Sequence, residues 1–249
     1  KKSYLPRVGT ANMILASEKK SGQLVVDAKN INKNFASKCI INDFSIQIKR
    51  GDRIGIVGPN GIGKTTLIKI LSGEVQPDLG EIKLGSNLIV AKFDQMREQL
   101  NLEDSLLQNL TDDPNIQNVD NPGQILVRGK SKHVAGYLKE FLFSEEQIRS
   151  PVKSLSGGEK ARLLLAKIMT KQSNLLILDE PTNDLDLETL DILQEVIAEY
   201  PGTVLLISHD RDFLNRTVET SIILTGQGKF LKIAGSWTDY QSLKIKNGT

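Results

Sequence analysis

Gly58-Pro59-Asn60-Gly61-Ile62-Gly63-Lys64-Thr65-Thr66 lies between the short, mostly apolar run Arg53-Ile54-Gly55-Ile56-Val57 and an apolar-periodic segment, Thr65 to Leu71. The first run reads as a strand and the second as a helix. The stretch between them satisfies the pattern G-x-x-x-x-G-K-[ST]. Its glycines let the backbone turn N–H groups inward onto phosphate oxygens, and the helix N-terminus adds its positive dipole end. Lys64 then reaches the β- and γ-phosphates of a nucleoside triphosphate, and the Thr65 hydroxyl coordinates Mg²⁺. A glycine-rich turn with a chance lysine is the bland alternative, and the strand before and helix after argue against it.

Working outward, Leu24-Val25-Val26 and the alternating Phe44-Ser45-Ile46-Gln47-Ile48 predict strands, as do Ile82 to Leu84 and Leu88 to Phe93. Residues 98–150 are polar and expected to be rich in helix, with turns at Asp113-Pro114 and Asn121-Pro122-Gly123. There follow a helix from about Gly158, a buried strand at Leu175–Leu178 and a helix from about Leu187. A strand at Thr203–Ser208 and a β-pair around Gly226-Gln227-Gly228 complete the pattern. Strand–helix alternation around the glycine loop predicts an α/β fold with a parallel core sheet. No internal repeat or low-complexity tract interrupts it.

The 249 residues carry 32 Lys and Arg against 30 Asp and Glu, a net charge of +2, with 39% hydrophobic and 25% charged side chains. This is the balance of a globular protein with a sizeable core. A pI near 8.5 falls short of a dedicated nucleic-acid binder. The single cysteine, Cys39, excludes an internal disulfide, and with only His133 and His209 as imidazoles a structural zinc site is not expected. The longest apolar runs, such as Val204-Leu205-Leu206-Ile207, are far shorter than a membrane-spanning helix. The basic start Lys1-Lys2-Ser3-Tyr4-Leu5-Pro6 has neither the apolar core nor the cleavage site of a signal peptide, and no initiator Met. A cytoplasmic location, as part of something longer, is expected.

Three further stretches carry chemistry. Leu175-Leu176-Ile177-Leu178-Asp179-Glu180 is an apolar strand ending in two carboxylates. Asp179 can hold the same Mg²⁺, directly or through water, and Glu180 can polarise the attacking water or accept its proton. Alone, such a pair is more often a strand giving way to a solvated loop; its place downstream of a phosphate loop favours chemistry. Leu155-Ser156-Gly157-Gly158-Glu159 opens a helix containing Arg162 and Leu163 to Leu165, and offers a hydroxyl and free N–H groups to an anion. Ser156 also suits an ordinary helix cap, and the two uses are compatible. His209 follows the strand Val204–Ser208 and precedes Asp210-Arg211, where it can donate to a γ-phosphate. A lone histidine is usually a satisfied loop residue, so its neighbours carry that expectation.

These four motifs, in this order, resemble the nucleotide-binding domain of the ABC ATPase superfamily, and Leu155–Glu159 matches the signature that separates it from other phosphate-loop ATPases. The resemblance implies a parallel core sheet with flanking helices, an antiparallel β subdomain and a helical subdomain at roughly 98–170. It implies ATP and Mg²⁺ as cofactors, with Gly58 through Thr66 on the phosphates, Thr65, Gln95 and Asp179 at the metal, and Glu180, His209 and Gln95 as catalytic residues. Gln95, in Phe93-Asp94-Gln95, matches the glutamine that senses metal and attacking water. Phe35 stands in the place of the aromatic that stacks on adenine, and Asn183-Asp184-Leu185-Asp186 resembles the loop that communicates between paired sites. Ser156, Gly157 and Gly158 are implied to serve the nucleotide held by a partner cassette.

Within the superfamily the chain resembles the ABC-F family of soluble twin-cassette ATPases. Leu178-Asp179-Glu180-Pro181-Thr182-Asn183-Asp184-Leu185-Asp186 carries Thr-Asn where exporters usually carry Ser-Ala, and Ser156-Gly157-Gly158-Glu159-Lys160-Ala161-Arg162 fits as well. The resemblance is to a second, C-terminal cassette and includes Arg50-Gly51-Asp52, His133 to Phe143 and Gly202 to Arg211. It implies that residues 1–22 end an inter-cassette linker, 23–244 form the cassette and 245–249 a tail. Ile62 is bulkier than the small residue usual there and is expected to point away from the phosphates. The implied partners are a second cassette, from the same protein or a homodimer mate, and the ribosome or its RNA, with DNA as the alternative and no membrane. Slow ATP hydrolysis is expected of the isolated cassette. A transporter ATPase is disfavoured by Thr182-Asn183. The patch Arg128, Lys130, Lys132, His133 and Lys139 offers charge to RNA phosphates, although a solvated helix face is the commoner account of such a run.

Overall fold

The computed structural model describes residues 23–36, 38–93, 100–113, 123–183 and 185–235. Gln95, Asp184, the linker 1–22 and the tail 245–249 lie outside the described residues. The chain begins with a long hairpin, β1 (Leu24–Phe35) and β2 (Lys38–Lys49). Phe44, Ile46 and Ile48 of β2 are buried while Ser45 and Gln47 are exposed, the alternation of a half-buried strand. Both arms run beyond the two expected strands. The polar run Lys29 to Asn34 conceals the distal part, which is bent by register shifts at Ala28/Ile31, Ile31/Lys33 and Lys33/Asn34. Bulges leave no clean period to follow.

After the hairpin, β3 (Arg53–Val57) leads through the phosphate loop into α1 (Lys64–Leu71), and β4 (Leu79–Leu84) returns to pair antiparallel with β1. The three-stranded sheet therefore has the order β2-β1-β4. The second sheet is built on β3 and adds β5 (Val90–Phe93), β8 (Leu175–Asp179), β9 (Thr203–Ile207), β10 (Thr220–Gly226) and β11 (Lys229–Ala234), in the order β11-β10-β3-β9-β8-β5. Every pair in it is parallel except β10 with β11, so the core sheet is parallel with one antiparallel edge strand.

Strands β8 and β9 are apolar at nearly every position because both faces are covered, the pattern of a parallel sheet. Leu175, Ile177, Leu205 and Ile207 face the cluster that includes α1 and the hairpin. Leu176, Leu178, Val204 and Leu206 face the other cluster, with α5 (Gly157–Thr170), α6 (Leu187–Glu199) and α7 (Arg211–Thr217).

Between the sheet's strands sits the helical part: α2 (Leu106–Thr111), α3 (Val134–Glu140), α4 (Glu145–Arg149) and α5. Within this stretch, expected to be rich in helix, β6 (Gln124–Val127) and β7 (Lys130–His133) also form an antiparallel hairpin. Arg128 (φ 50) and Gly129 (φ 76) make its turn with both residues left-handed, the two-residue form that Asn-Gly ordinarily announces. An arginine in the first place hid the hairpin. The same region shows where three of the basic side chains at 128–139 find partners within the chain. Lys132 Nζ bonds Glu140 Oε1 at 2.8 Å, Lys139 Nζ bonds Glu145 Oε1 at 2.6 Å, and Arg128 Nη1 donates to the Glu199 carbonyl at 3.3 Å. These charges are directed at acids and a helix end of the chain itself. Among the described residues no helix is long and apolar enough to cross a membrane.

The C-terminal end of α6 is held by the central strand. Arg53 of β3 donates to the carbonyls of Ile197 (3.2 Å), Gly202 (2.8 Å), Gly51 (2.7 Å) and Tyr200. Its guanidinium sits among carbonyls at the C-terminal end of α6 and in the turns beside it, where the helix dipole favours a cation, and burial lowers its pKa from the ordinary arginine value. Replacing Arg53 by Met removes these donors, so urea denaturation of Arg53→Met is expected to show a loss of about 2 kcal/mol.

Candidate nucleotide-binding site

The loop after β3 turns through left-handed glycines. Gly61 has φ 70 and Gly63 φ 117, backbone that a side chain rarely adopts. A Cβ at Gly63 would also stand 2.4 Å from Ile40 Cγ2 of β2, so the loop's last turn packs directly on the hairpin. Ile62 is half-buried and packs on the same core cluster, against Gly58. Its side chain is therefore spent on packing, in line with the expectation.

Lys64, the first residue of α1, is buried, and its ammonium donates to the carbonyls of Gly58 (2.8 Å) and Pro59 (3.2 Å). Asn60 Oδ1 lies 3.4 Å away. Thr65 is exposed beside it and Thr66 half-buried.

The carboxylates arrive from β8, next but one to β3 in the sheet. The Thr65 hydroxyl donates to Asp179 Oδ2 at 3.2 Å, across 114 residues of sequence. Both are hard oxygen donors of the type Mg²⁺ takes, and Mg²⁺ fills its remaining positions with water and phosphate oxygens. Among the described residues no group of three or more His, Cys, Asp and Glu gathers at one point. Glu180 follows with φ 48, a left-handed conformation of the kind that collects at functional sites. Its N–H is held by the Ile207 carbonyl at 2.9 Å.

From β9 comes His209. Its N–H donates to Glu180 Oε2 at 3.2 Å, and its Nε2 lies 3.2 Å from Glu180 Oε1, 2.8 Å from Asn60 Oδ1 and 3.2 Å from Lys64 Nζ. Nε2 thus faces two acceptors and one obligate donor, the Lys64 ammonium. Register explains the meeting: Asp179 pairs with Ile207, so β8 and β9 deliver Glu180 and His209 to one edge. Behind them, Thr182 Oγ1 and the buried Ser208 Oγ lie 3.2 Å apart, and Ser208 Oγ accepts the Asp210 N–H at 3.0 Å.

Phe35 ends β1 at the hairpin tip, 52% exposed, and Lys38 across the turn donates to the Gly61 carbonyl at 3.2 Å. An uncovered aromatic ring is thereby tied to the phosphate loop. Sequence patterns gave no sign of Lys38, or of Asn60 as a partner of His209, because both contacts depend on how the hairpin and β9 fold over the loop.

Ser156 is exposed and caps α5. Its Oγ accepts the Glu159 N–H at 3.2 Å, while Glu159 Oε2 accepts the Ser156 N–H at 2.7 Å. Gln147 of α4 donates to Glu159 Oε1 at 2.6 Å. Gly157 and Gly158 are the first residues of the helix. None of Ser156, Gly157 and Gly158 takes part in the bonds that gather Lys64, Thr65, Asp179, Glu180 and His209. The Ser156 amide first, with its hydroxyl and Gln147, holds the Glu159 carboxyl below the usual carboxylate range. A lowered folded-state pKa contributes stability above the unfolded value and loses it as pH falls through the folded one. The stability gap between the parent and Glu159→Gln is therefore expected at neutral pH and should close as the pH falls through the folded-state pKa of Glu159, which denaturation at several pH values measures. Gly63→Ala places a methyl on Ile40 and is expected to lower both melting temperature and the thermal shift produced by ATP.

A family model described as ABC transporter matches residues 41–183. The ATP-binding protein Uup of Caulobacter vibrioides is 48% identical over 234 residues, which is 93% of this chain and 37% of that protein. The energy-dependent translational throttle protein EttA of Haemophilus influenzae is 35% identical over 243 residues, 98% of this chain and 42% of that protein. The chain thus spans less than half the length of these curated relatives. Among solved structures, cbiO1 of Clostridium perfringens, part of the transporter complex cbiONQ, superposes with a TM-score of 0.69 at 22% identity, covering 89% of this chain and 92% of that one. The dimeric, post-hydrolysis cassette MJ0796 with ADP and Pi does so at 0.64 and 22%, covering 84% and 99%. At these identities the structures speak for the fold.

Proposed function

The chain belongs to the ABC family of ATPases, and from that premise we propose that it is the second cassette of a twin-cassette ABC-F protein that acts on the ribosome in the cytoplasm. One observation carries the chemistry: Lys64, Thr65, Asp179, Glu180 and His209 converge from three strand ends of one parallel sheet. Lys64 and the loop amides hold the β- and γ-phosphates of ATP. Thr65 and Asp179 hold Mg²⁺, which when bound shields the phosphate charge. Glu180 orients the attacking water and takes its proton, and His209 donates from Nε2 to the γ-phosphate. Phe35 stacks on the base.

Ser156, Gly157 and Gly158 make the capped N-terminus of α5, and a helix end of this kind supports their use on the nucleotide of a facing cassette, with the α5 amides turned to its phosphates. ATP binding then closes two cassettes and hydrolysis releases them. The ribosome is favoured by similarity to a translational throttle protein and by the Thr182-Asn183 pair.

Glu180→Gln keeps the shape of the site and removes its base. Turnover is expected to fall about 10²- to 10³-fold while ATP binding persists, with an ATP-dependent dimer of this chain visible by light scattering; unchanged turnover would remove Glu180 from the role. In the longer protein, the same substitution should co-sediment with ribosomes only in ATP. Absence from ribosomal fractions, together with retention on DNA, would move the action to DNA.

A further inference from the structure

The tip that carries Phe35 lies beyond the support of its own sheet. β4 pairs with β1 as far as Asn32 with Leu79, so Lys33, Asn34 and Phe35 have no partner in β4. The pairing of β1 with β2 shifts between Lys33 and Asn34, and Ala36 in the turn has φ 51. A two-stranded end of this kind is weak by itself.

Asp78, the residue before β4, holds it. One carboxylate oxygen accepts from Lys33 Nζ at 2.6 Å and the other from the Asn34 N–H at 2.7 Å. The Asp78 N–H in turn donates to the Asn32 carbonyl at 2.8 Å. Lys33 Nζ also donates to the Gln76 carbonyl at 3.0 Å and stands 5.6 Å from the centre of the Phe35 ring, within cation–π reach of one face. The Lys33 ammonium first, then the Asn34 amide, hold the Asp78 carboxyl below its ordinary range. With Lys38 tied to Gly61, the tip is fastened on one side to the phosphate loop and on the other to the segment that leaves α1.

We propose that Asp78 is a positioning residue for the nucleotide base: by clamping Lys33 and Asn34 it sets the Phe35 ring at a fixed place relative to phosphates bound on Gly58–Thr66. The proposal rests on the stacking role given to Phe35 above. Asp78 touches no nucleotide and acts through the ring, so its effect belongs to ligands that have a base.

The test is calorimetric binding of ATP and of inorganic tripolyphosphate, each with Mg²⁺, to the chain and to Asp78→Asn, Phe35→Ala and the double variant. Asp78→Asn keeps the shape and loses the charge. It is expected to weaken ATP about two- to tenfold, the range of one aromatic stacking contact, and to leave tripolyphosphate where it was. The double variant should bind ATP no more weakly than Phe35→Ala alone. Equal weakening of both ligands would place Asp78 in support of the whole loop and overturn the proposal. So would a full Asp78 effect in the Phe35→Ala background, or ATP binding insensitive to Asp78→Asn. Phe35→Ala without effect on ATP would instead overturn the stacking role itself, and the positioning role with it.

Discussion

A loop that turns its amides onto phosphates has to leave a strand and enter a helix within a few residues, and here that passage closes on Gly63. Its φ of 117 and the 2.4 Å between a would-be Cβ and Ile40 Cγ2 leave no room for any side chain. The close approach does more than permit the turn. It presses the loop onto β2, so the antiparallel hairpin and the parallel sheet share one core, with Ile40 and Ile62 beside Leu67, Ile68 and Leu71 of α1. Phosphate loop, hairpin and first helix are consequently parts of one packed unit.

The sheet order then assembles the rest. Parallel strands end at the same edge, and ligands of such sheets gather outside their carboxyl ends. With β9 seated between β3 and β8, the residues that follow all three strands come within hydrogen-bond reach, although Lys64 and His209 are 145 positions apart. Arg53 secures the far end of the same arrangement, binding the carbonyls that finish α6. α6 begins at its Asp186 cap, in the segment that follows Asp179 and Glu180. The strand that launches the phosphate loop and the helix that follows the carboxylates are thereby held together at their opposite ends.

The signature segment obeys a different logic. Ser156 and Glu159 satisfy one another and the first turn of α5 in a capping box, and Gln147 ties that box to α4. The bland account of Ser156 as a cap is therefore correct within the chain. It also presents an ordered helix N-terminus with two glycines in its first turn, a surface suited to an anion brought from outside.

Local chemistry was legible in the sequence wherever one short stretch carries the whole signal. Gly58 to Thr66, the apolar run into Asp179 and Glu180, and Ser156-Gly157-Gly158 were identifiable because turn, strand end and cap are each specified by neighbouring residues. So were β3, β8 and β9, whose apolar content follows from burial on both faces. The hairpin at 124–133 and the distal half of β1 escaped notice because Arg128 stands where asparagine would announce the turn, and because bulges erase the period of two. The pairing of Lys132 and Lys139 with acids was invisible for the same reason that any surface patch is: side-chain partners are set by folding, not spacing. Neighbouring residues alone were enough to specify the glycine turn, the strand ending in two carboxylates and the capped helix start. That His209 meets Asn60, and that Lys38 and Asp78 fasten the tip bearing Phe35, came from the tertiary structure, because those distances depend on strand order and register across the whole chain.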